Sequence, residues 1–266
     1  MKLANKHIFV TGGAKGIGEA IVKDAAAEGA AVSFIDIDTV NGEKLAAQLS
    51  GLGQKVFFAK ADVSSFEDLK SAFNQAVGKF GEVTGVVNNA GVNSHADPVT
   101  MSDKEWDDFF AVDMKPVWLT AKLALPAMRK AKGGSIVNIC SIHGRLTYPG
   151  FFPYGAAKSA VLGLTRNLAL DEGKHEIRVN AVSPGYILTD LTKGWLAGEP
   201  GRSERANSIQ PLGRMGEPKE VAKVVTPERA VELNSVITKI AASTVAAHEA
   251  AGEESPISLP AAKVVS

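Results

Sequence analysis

Tyr154 and Lys158 stand four residues apart in a stretch of helical period that opens after Pro153, so their side chains share one helix face. A phenol exchanges protons poorly near neutrality unless a cation stabilises its anion, and an ammonium one turn away supplies that cation. Such a pair alone is an ordinary helix surface; its meaning depends on company. Ser141, at the end of the run SIVNICS, offers a hydroxyl that can steady a carbonyl by hydrogen bonding, although a lone serine there would more often cap a turn.

A second constellation lies near the start. The run TGGAKGIG places Gly12, Lys15, Gly16, Ile17 and Gly18 between a strand-like segment and a helical one. Glycines let the backbone approach a pyrophosphate and leave a helix N-terminus facing it, though an isolated glycine-rich turn is weak evidence. Asp36 follows at the end of the next strand-like run, at the distance expected of a carboxylate gripping the adenosine ribose hydroxyls. It would repel a ribose 2′-phosphate and so favours NAD over NADP, while Lys15 pulls the other way and leaves NADP use open.

The elements that must hold these groups are legible as alternation. Short β-branched or aromatic runs, HIFVTG, AAVSFIDI, KVFFAKADV, TGVVNNAG, SIVNICS and IRVNAVS, take turns with segments of helical period. One helix opens with Ser102 and Glu105 in capping-box spacing, and another covers residues 153 to 171. Parallel crossovers need covering elements, so the pattern predicts an α/β domain with a doubly wound parallel sheet between two helical layers. Ligands of such sheets bind beyond the strands' carboxyl ends, where Asp62, Val63, Asn89 and Gly91 also fall. Loops near 92–100 and 194–213 are long enough to cover a site, the second as a candidate lid.

At 266 residues and 45% hydrophobic content, with zero formal net charge and scattered Lys and Arg, the chain reads as one globular domain without the footprint of a nucleic-acid or acidic-membrane binder. No apolar run reaches the roughly 18–20 residues needed to span a bilayer. A single cysteine and an opening without a leader's apolar core point to the cytoplasm. Cys140 is expected to be a buried small residue rather than a nucleophile. The five histidines lack metal-ligand spacing, so no metal is expected.

Together, TGGAKGIG, NNAG, the strand-end serine, YGAAK and VSPGYILT resemble the TGxxxGxG, NNAG, serine, YxxxK and PG motifs of the short-chain dehydrogenase/reductase family over residues 3 to 225. The resemblance implies a Rossmann fold and hydride transfer between a nicotinamide cofactor and an alcohol or ketone. Ser141 would orient the substrate, and Tyr154 would serve as general acid/base. Lys158 would hold the nicotinamide ribose and lower the tyrosine pKa. Asp36 and Asp62-Val63 correspond to ribose and adenine contacts, Asn89 and Gly91 to the central part. Pro184, Gly185, Ile187 and Thr189 correspond to the stretch along nicotinamide. A homo-oligomer, dimer or tetramer, is the family's usual assembly.

Two departures stand out. Asp113 occupies the usual place of an asparagine; a carboxylate there would hold the charge of Lys158 and partly offset its pull on Tyr154, predicting an alkaline shift in activity. The text after residue 225 lacks the family's last strand: residues 228 to 251 read as helical and 252 to 266 as an irregular tail, making 226–266 an atypical terminus to the 1–225 domain.

Around the expected cleft lie Asn93, His95, His143, Arg145, Tyr148, Phe152, Tyr186 and Trp195, donors mixed with aromatic walls. This predicts a hydroxylated substrate, with His95, His143, Arg145 and Tyr186 as candidate contacts; within the family, the stretch from SIHGRLTYPGFFPYGAAK to the segment before PLGRMGEP resembles sugar, sugar-acid or polyol dehydrogenases, which implies such a substrate with Arg145 as a candidate carboxylate partner. Two rivals remain: a 3-oxoacyl thioester reductase, which would need a basic patch for an acidic carrier, and a catalytically silent NAD-binding regulator.

Overall fold

A computed structural model describes residues 2–225 except Glu199, Ile209 and Pro211. The helix expected at 228–251, the tail at 252–266 and the question of a last strand lie outside the described residues.

Six strands form one parallel sheet: β1 (His7–Thr11), β2 (Ala31–Asp36), β3 (Val56–Lys60), β4 (Gly85–Asn88), β5 (Gly134–Ile139) and β6 (Ile177–Val182), in the order β3-β2-β1-β4-β5-β6. Strand order reverses between β1 and β4, and the crevice beyond their carboxyl ends is where such sheets take ligands. Strands buried on both faces need apolar side chains at consecutive positions, and β1 shows why. Phe9 joins a core with Leu69 and Phe73 of α3 (Phe66–Phe80) and Leu119 and Met128 of α5 (Lys115–Ala131). Ile8 and Val10 join the opposite core with Ile21 and Val22 of α1 (Gly16–Ala27), Leu45 of α2 (Thr39–Gly51) and Val221 of α9 (Pro218–Val225). Each such fully buried side chain stabilises the fold by about 1.5–3 kcal/mol relative to exposure.

The helix opened by Ser102 has its full capping box, with Ser102 Oγ accepting from the Glu105 N–H at 3.3 Å and Glu105 Oε2 accepting from the Ser102 N–H at 2.8 Å. It ends early: α4 (Asp103–Asp113) stops at Met114, whose backbone (φ −130°, ψ −52°) leaves helical geometry before α5 begins. The break turns Asp113 inward. The residue 153–171 prediction corresponds to α6 (Tyr154–Glu172). The 194–213 segment is not a plain loop: it contains α7 (Asp190–Ala197), begun upstream, and α8 (Arg202–Ser208). No helix among the described residues is long and apolar enough to cross a membrane.

Candidate active site

A cleft of about 530 Å³ runs along the carboxyl edge of the sheet, from the glycine loop after β1 to the segment after β6. Ser141 closes β5, Tyr154 opens α6, and Lys158 follows one turn on; all three line this cleft. The strand end carrying Ser141 is fixed by the Cys140 N–H donating to Val182 O (2.7 Å) and the Ile142 N–H donating to Pro184 O (3.1 Å). Ser141 Oγ accepts from the His143 N–H (3.2 Å) and faces the Tyr154 phenol closely enough to lower its pKa. Lys158 Nζ lies 5.4 Å from the Tyr154 ring centre.

Asp113 is buried against Lys158. Its Oδ2 stands 3.0 Å from Lys158 Nζ, and its Oδ1 accepts the Val92 N–H at 2.6 Å. Gly91 makes room for this pair, because a Cβ there would stand 3.2 Å from Nζ and 3.3 Å from Oδ1. Burial alone would lower the Lys158 pKa, but Asp113 and Tyr154 together hold it above its usual value. For Tyr154, burial raises the pKa; Lys158 and the Ser141 hydroxyl pull it down, and Asp113 pushes it up again. The net direction is upward, so the expected lowering by Lys158 is present but outweighed.

The cofactor end is built from backbone. Gly12 (φ +65°) and Gly16 (φ +57°) adopt a conformation that a side chain would strain, and both line the cleft with Lys15 and Ile17. The first turn of α1 has no side-chain cap, unlike α2, α3, α4 and α7, where Asp38, Ser65, Ser102 and Thr189 cap. Its free N–H groups suit a pyrophosphate. Gly18 is not part of the lining: a Cβ on it would fall 1.9 Å from Gly12 O, so it serves close packing of α1 on the loop.

Asp36 lines the cleft, and its carboxylate accepts the Ala14 and Asp38 N–H groups, each at 3.0 Å, tying the glycine loop to the end of β2. Lys15 is paired with Asp38 at 2.5 Å. Asp62, Val63, Asn89, Pro184, Gly185, Ile187 and Thr189 all lie along the same cleft. Asn89 stitches β4 to β1, its amide donating to Gly12 O (2.8 Å) and Thr11 O (3.2 Å). These features, an uncapped helix start, two positive-φ glycines and an elongated cleft, fit a dinucleotide, and the nicotinamide nucleotides are what this family uses.

Of the expected substrate contacts, His95, His143 and Tyr186 line the cleft with Asn93 and Trp195. Arg145 does not: it is exposed and borders a neighbouring depression with Tyr148 and Phe152, because the chain swings outward after the single 3₁₀ turn at Ile142–Gly144. Sequence reasoning missed Phe151, whose ring stacks on His143 (4.1 Å) and meets His95 edge-on (4.8 Å), and Gln210, whose side chain lies beside Gly185. The aromatic run FF signals the first; nothing local signals the second. Burial, then nearby His95, lowers the His143 pKa. Cys140 is buried, its thiol donating to Lys158 O at 3.1 Å, and burial pushes its pKa up.

The sequence profile of the family described as short chain dehydrogenase matches residues 6–200. The chain is 38% identical over 225 residues to the 3-oxoacyl-acyl-carrier-protein reductase FabG of Thermotoga maritima, covering 85% of this chain and 90% of that protein. It is equally 38% identical over 225 residues to the L-fucose dehydrogenase of Mus musculus, covering 83% and 81%. Among solved structures, levodione reductase superposes with a TM-score of 0.79 at 31% identity, covering 84% of this chain and 90% of that one. With the cleft, the glycine loop and the serine, tyrosine and lysine already in place, the chain belongs to the short chain dehydrogenase family and is an oxidoreductase acting on CH–OH or keto groups.

Proposed function

We propose that the protein interconverts a secondary alcohol and a ketone with NAD as cofactor, and that the substrate is a small hydroxylated molecule of the sugar or polyol kind. The observation that carries this is the convergence of Ser141, Tyr154 and Lys158 in one cleft with the uncapped glycine loop. Bound NAD supplies the hydride acceptor in oxidation, and its reduced form the donor in reduction. In oxidation the substrate hydroxyl proton passes to ionised Tyr154 while Ser141 holds the oxygen; reduction returns that proton to the new alkoxide. Lys158, kept charged by Asp113, keeps a cation beside the phenol.

NAD rather than NADP is supported by Asp36 at the ribose end and by the pairing of Lys15 with Asp38, which spends the cation a 2′-phosphate would need. The catalytically complete set of side chains disfavours a silent regulator. Reduction of 3-oxoacyl thioesters is the second reading, carried by the likeness to the Thermotoga maritima reductase. Two cations near the cleft are paired, Lys15 with Asp38 and Lys193 with Asp190, whereas Arg145, exposed beside it, is a cation an acidic carrier would meet.

Reduced-nicotinamide absorbance, followed with NAD and NADP against L-fucose, sorbitol and an acetoacetyl thioester, tests the reading. NAD-dependent oxidation of the hydroxylated compounds is expected, and Asp36→Ser should shift cofactor preference toward NADP by roughly tenfold. Turnover confined to the thioester with NADP would overturn it.

A further inference from the structure

His95 is held in place by bonds that leave one ring nitrogen with a single hydrogen-bonding role. Its Nδ1 lies 2.8 Å from Gly150 O. A carbonyl oxygen only accepts, so Nδ1 carries the proton, and Nε2 of the neutral ring is an acceptor. That Nε2 has no partner among the described residues, and His95 lines the cleft that holds Tyr154. The two cleft loops are stitched around it: the Ala96 N–H donates to Phe152 O (2.9 Å), Ser94 Oγ–H donates to the same oxygen (3.2 Å), and Phe151 packs edge-on against the ring at 4.8 Å. Phe151 is in turn stacked on His143, whose Nδ1 is 3.0 Å from Thr147 Oγ1. The acceptor is therefore positioned before any substrate arrives.

We infer that His95 Nε2 is a specificity-determining acceptor that reads a second hydroxyl on the substrate, beyond the one that reacts. This rests on the oxidoreductase reading above and sharpens its substrate class. A hydroxylated ketone or sugar carries an O–H donor beside the reacting carbon, which satisfies Nε2. A 3-oxoacyl group offers only acceptors next to its ketone and leaves Nε2, on an exposed ring, to water, so it gains nothing from this contact.

The test compares kcat/KM for partners differing by one hydroxyl: L-fucose against 2-deoxy-L-fucose, and butane-2,3-diol against butan-2-ol, each with NAD. The wild type is expected to favour the hydroxylated partner. His95→Phe, which keeps an aromatic ring against Phe151 but has no acceptor, should lower kcat/KM for that partner by roughly tenfold and leave the deoxy partner nearly unchanged. His95→Gln, which restores an acceptor oxygen, should recover most of the loss. An equal effect on both partners, or none on either, overturns the inference while the oxidoreductase reading stands. A wild type that turns over only an acetoacetyl thioester overturns the inference and the substrate class together, and one that changes absorbance with no probe overturns the parent reading too.

Discussion

Tyr154 is pulled in opposite directions by its neighbours. Burial and the Asp113 carboxylate favour the neutral phenol, whereas Lys158 and the Ser141 hydroxyl favour the anion, and the first pair prevails. In the proposed chemistry this upward shift favours the phenol as proton donor to a ketone, and oxidation, which uses its anion, is favoured by alkali. Removing the negative charge of Asp113 lowers the phenol's pKa. Asp113→Asn, which keeps an oxygen for the Val92 N–H, is therefore expected to move the rising limb of the oxidation pH–rate profile toward acid. Superimposable profiles would show that the carboxylate does not act on Tyr154. Type and spacing alone left Ser141, Tyr154 and Lys158 ambiguous, the family motifs singled them out, and the fold brings all three to one cleft. Arg145 lies beside the cleft rather than in it, and the direction a loop takes after a strand end has no periodic signal.

At the scale of elements, the central strands were readable because β1 and β4 are buried along their whole length, and such strands read as apolar runs, as Ile8, Phe9 and Val10 do. The break between α4 and α5 was not, since apolar residues continue through Met114 and Pro116 is tolerated in the first turn of the second helix. Long-range polar ties were equally hidden. Asn88 donates to Asn138 Oδ1 (2.8 Å), Thr120 donates to Asn88 Oδ1 (2.7 Å) and Asn138 donates to Thr165 Oγ1 (2.9 Å), a buried chain joining β4 and β5 to α5 and α6. Arg129 of α5 holds Glu172 of α6 with two bonds, Nε to Oε2 at 2.8 Å and Nη2 to Oε1 at 2.5 Å, and this partner depresses the Glu172 pKa.

The Glu172 carboxylate is buried, so Glu172→Gln should cost about 2 kcal/mol by thermal or denaturant unfolding at neutral pH. A depressed folded-state pKa stabilises above the unfolded value and is lost as pH falls through the folded one. The difference between wild type and variant should accordingly shrink in acid. A difference constant with pH would remove the charge from the explanation.

For the whole molecule, the cleft spans both halves of the sheet, from the loop after β1 to the segment after β6, and is roofed by α7. Tyr186 of that segment stacks on Trp195 of α7 (5.6 Å), and Arg202 of α8 lies over the indole at 4.9 Å from its centre. The sequence marked this region as a cover but not as helix, because its helical runs are too short to show a period. A ligand filling the cleft bridges elements far apart in the chain, from Gly12 to Trp195, and stabilises only the folded state. NAD at about a hundred times its Kd should add about 2.7 kcal/mol, visible as a raised Tm, with a smaller rise for NADP. Equal rises for both nucleotides would contradict the role given to Asp36.

The proposed chemistry depends most on Tyr154 as the group that moves the proton. The most direct test measures turnover and NAD affinity in the same preparation of Tyr154→Phe. Turnover is predicted to fall by about a hundredfold to ten-thousandfold with nucleotide binding largely retained. Turnover within a few-fold of wild type, at any pH, would contradict it.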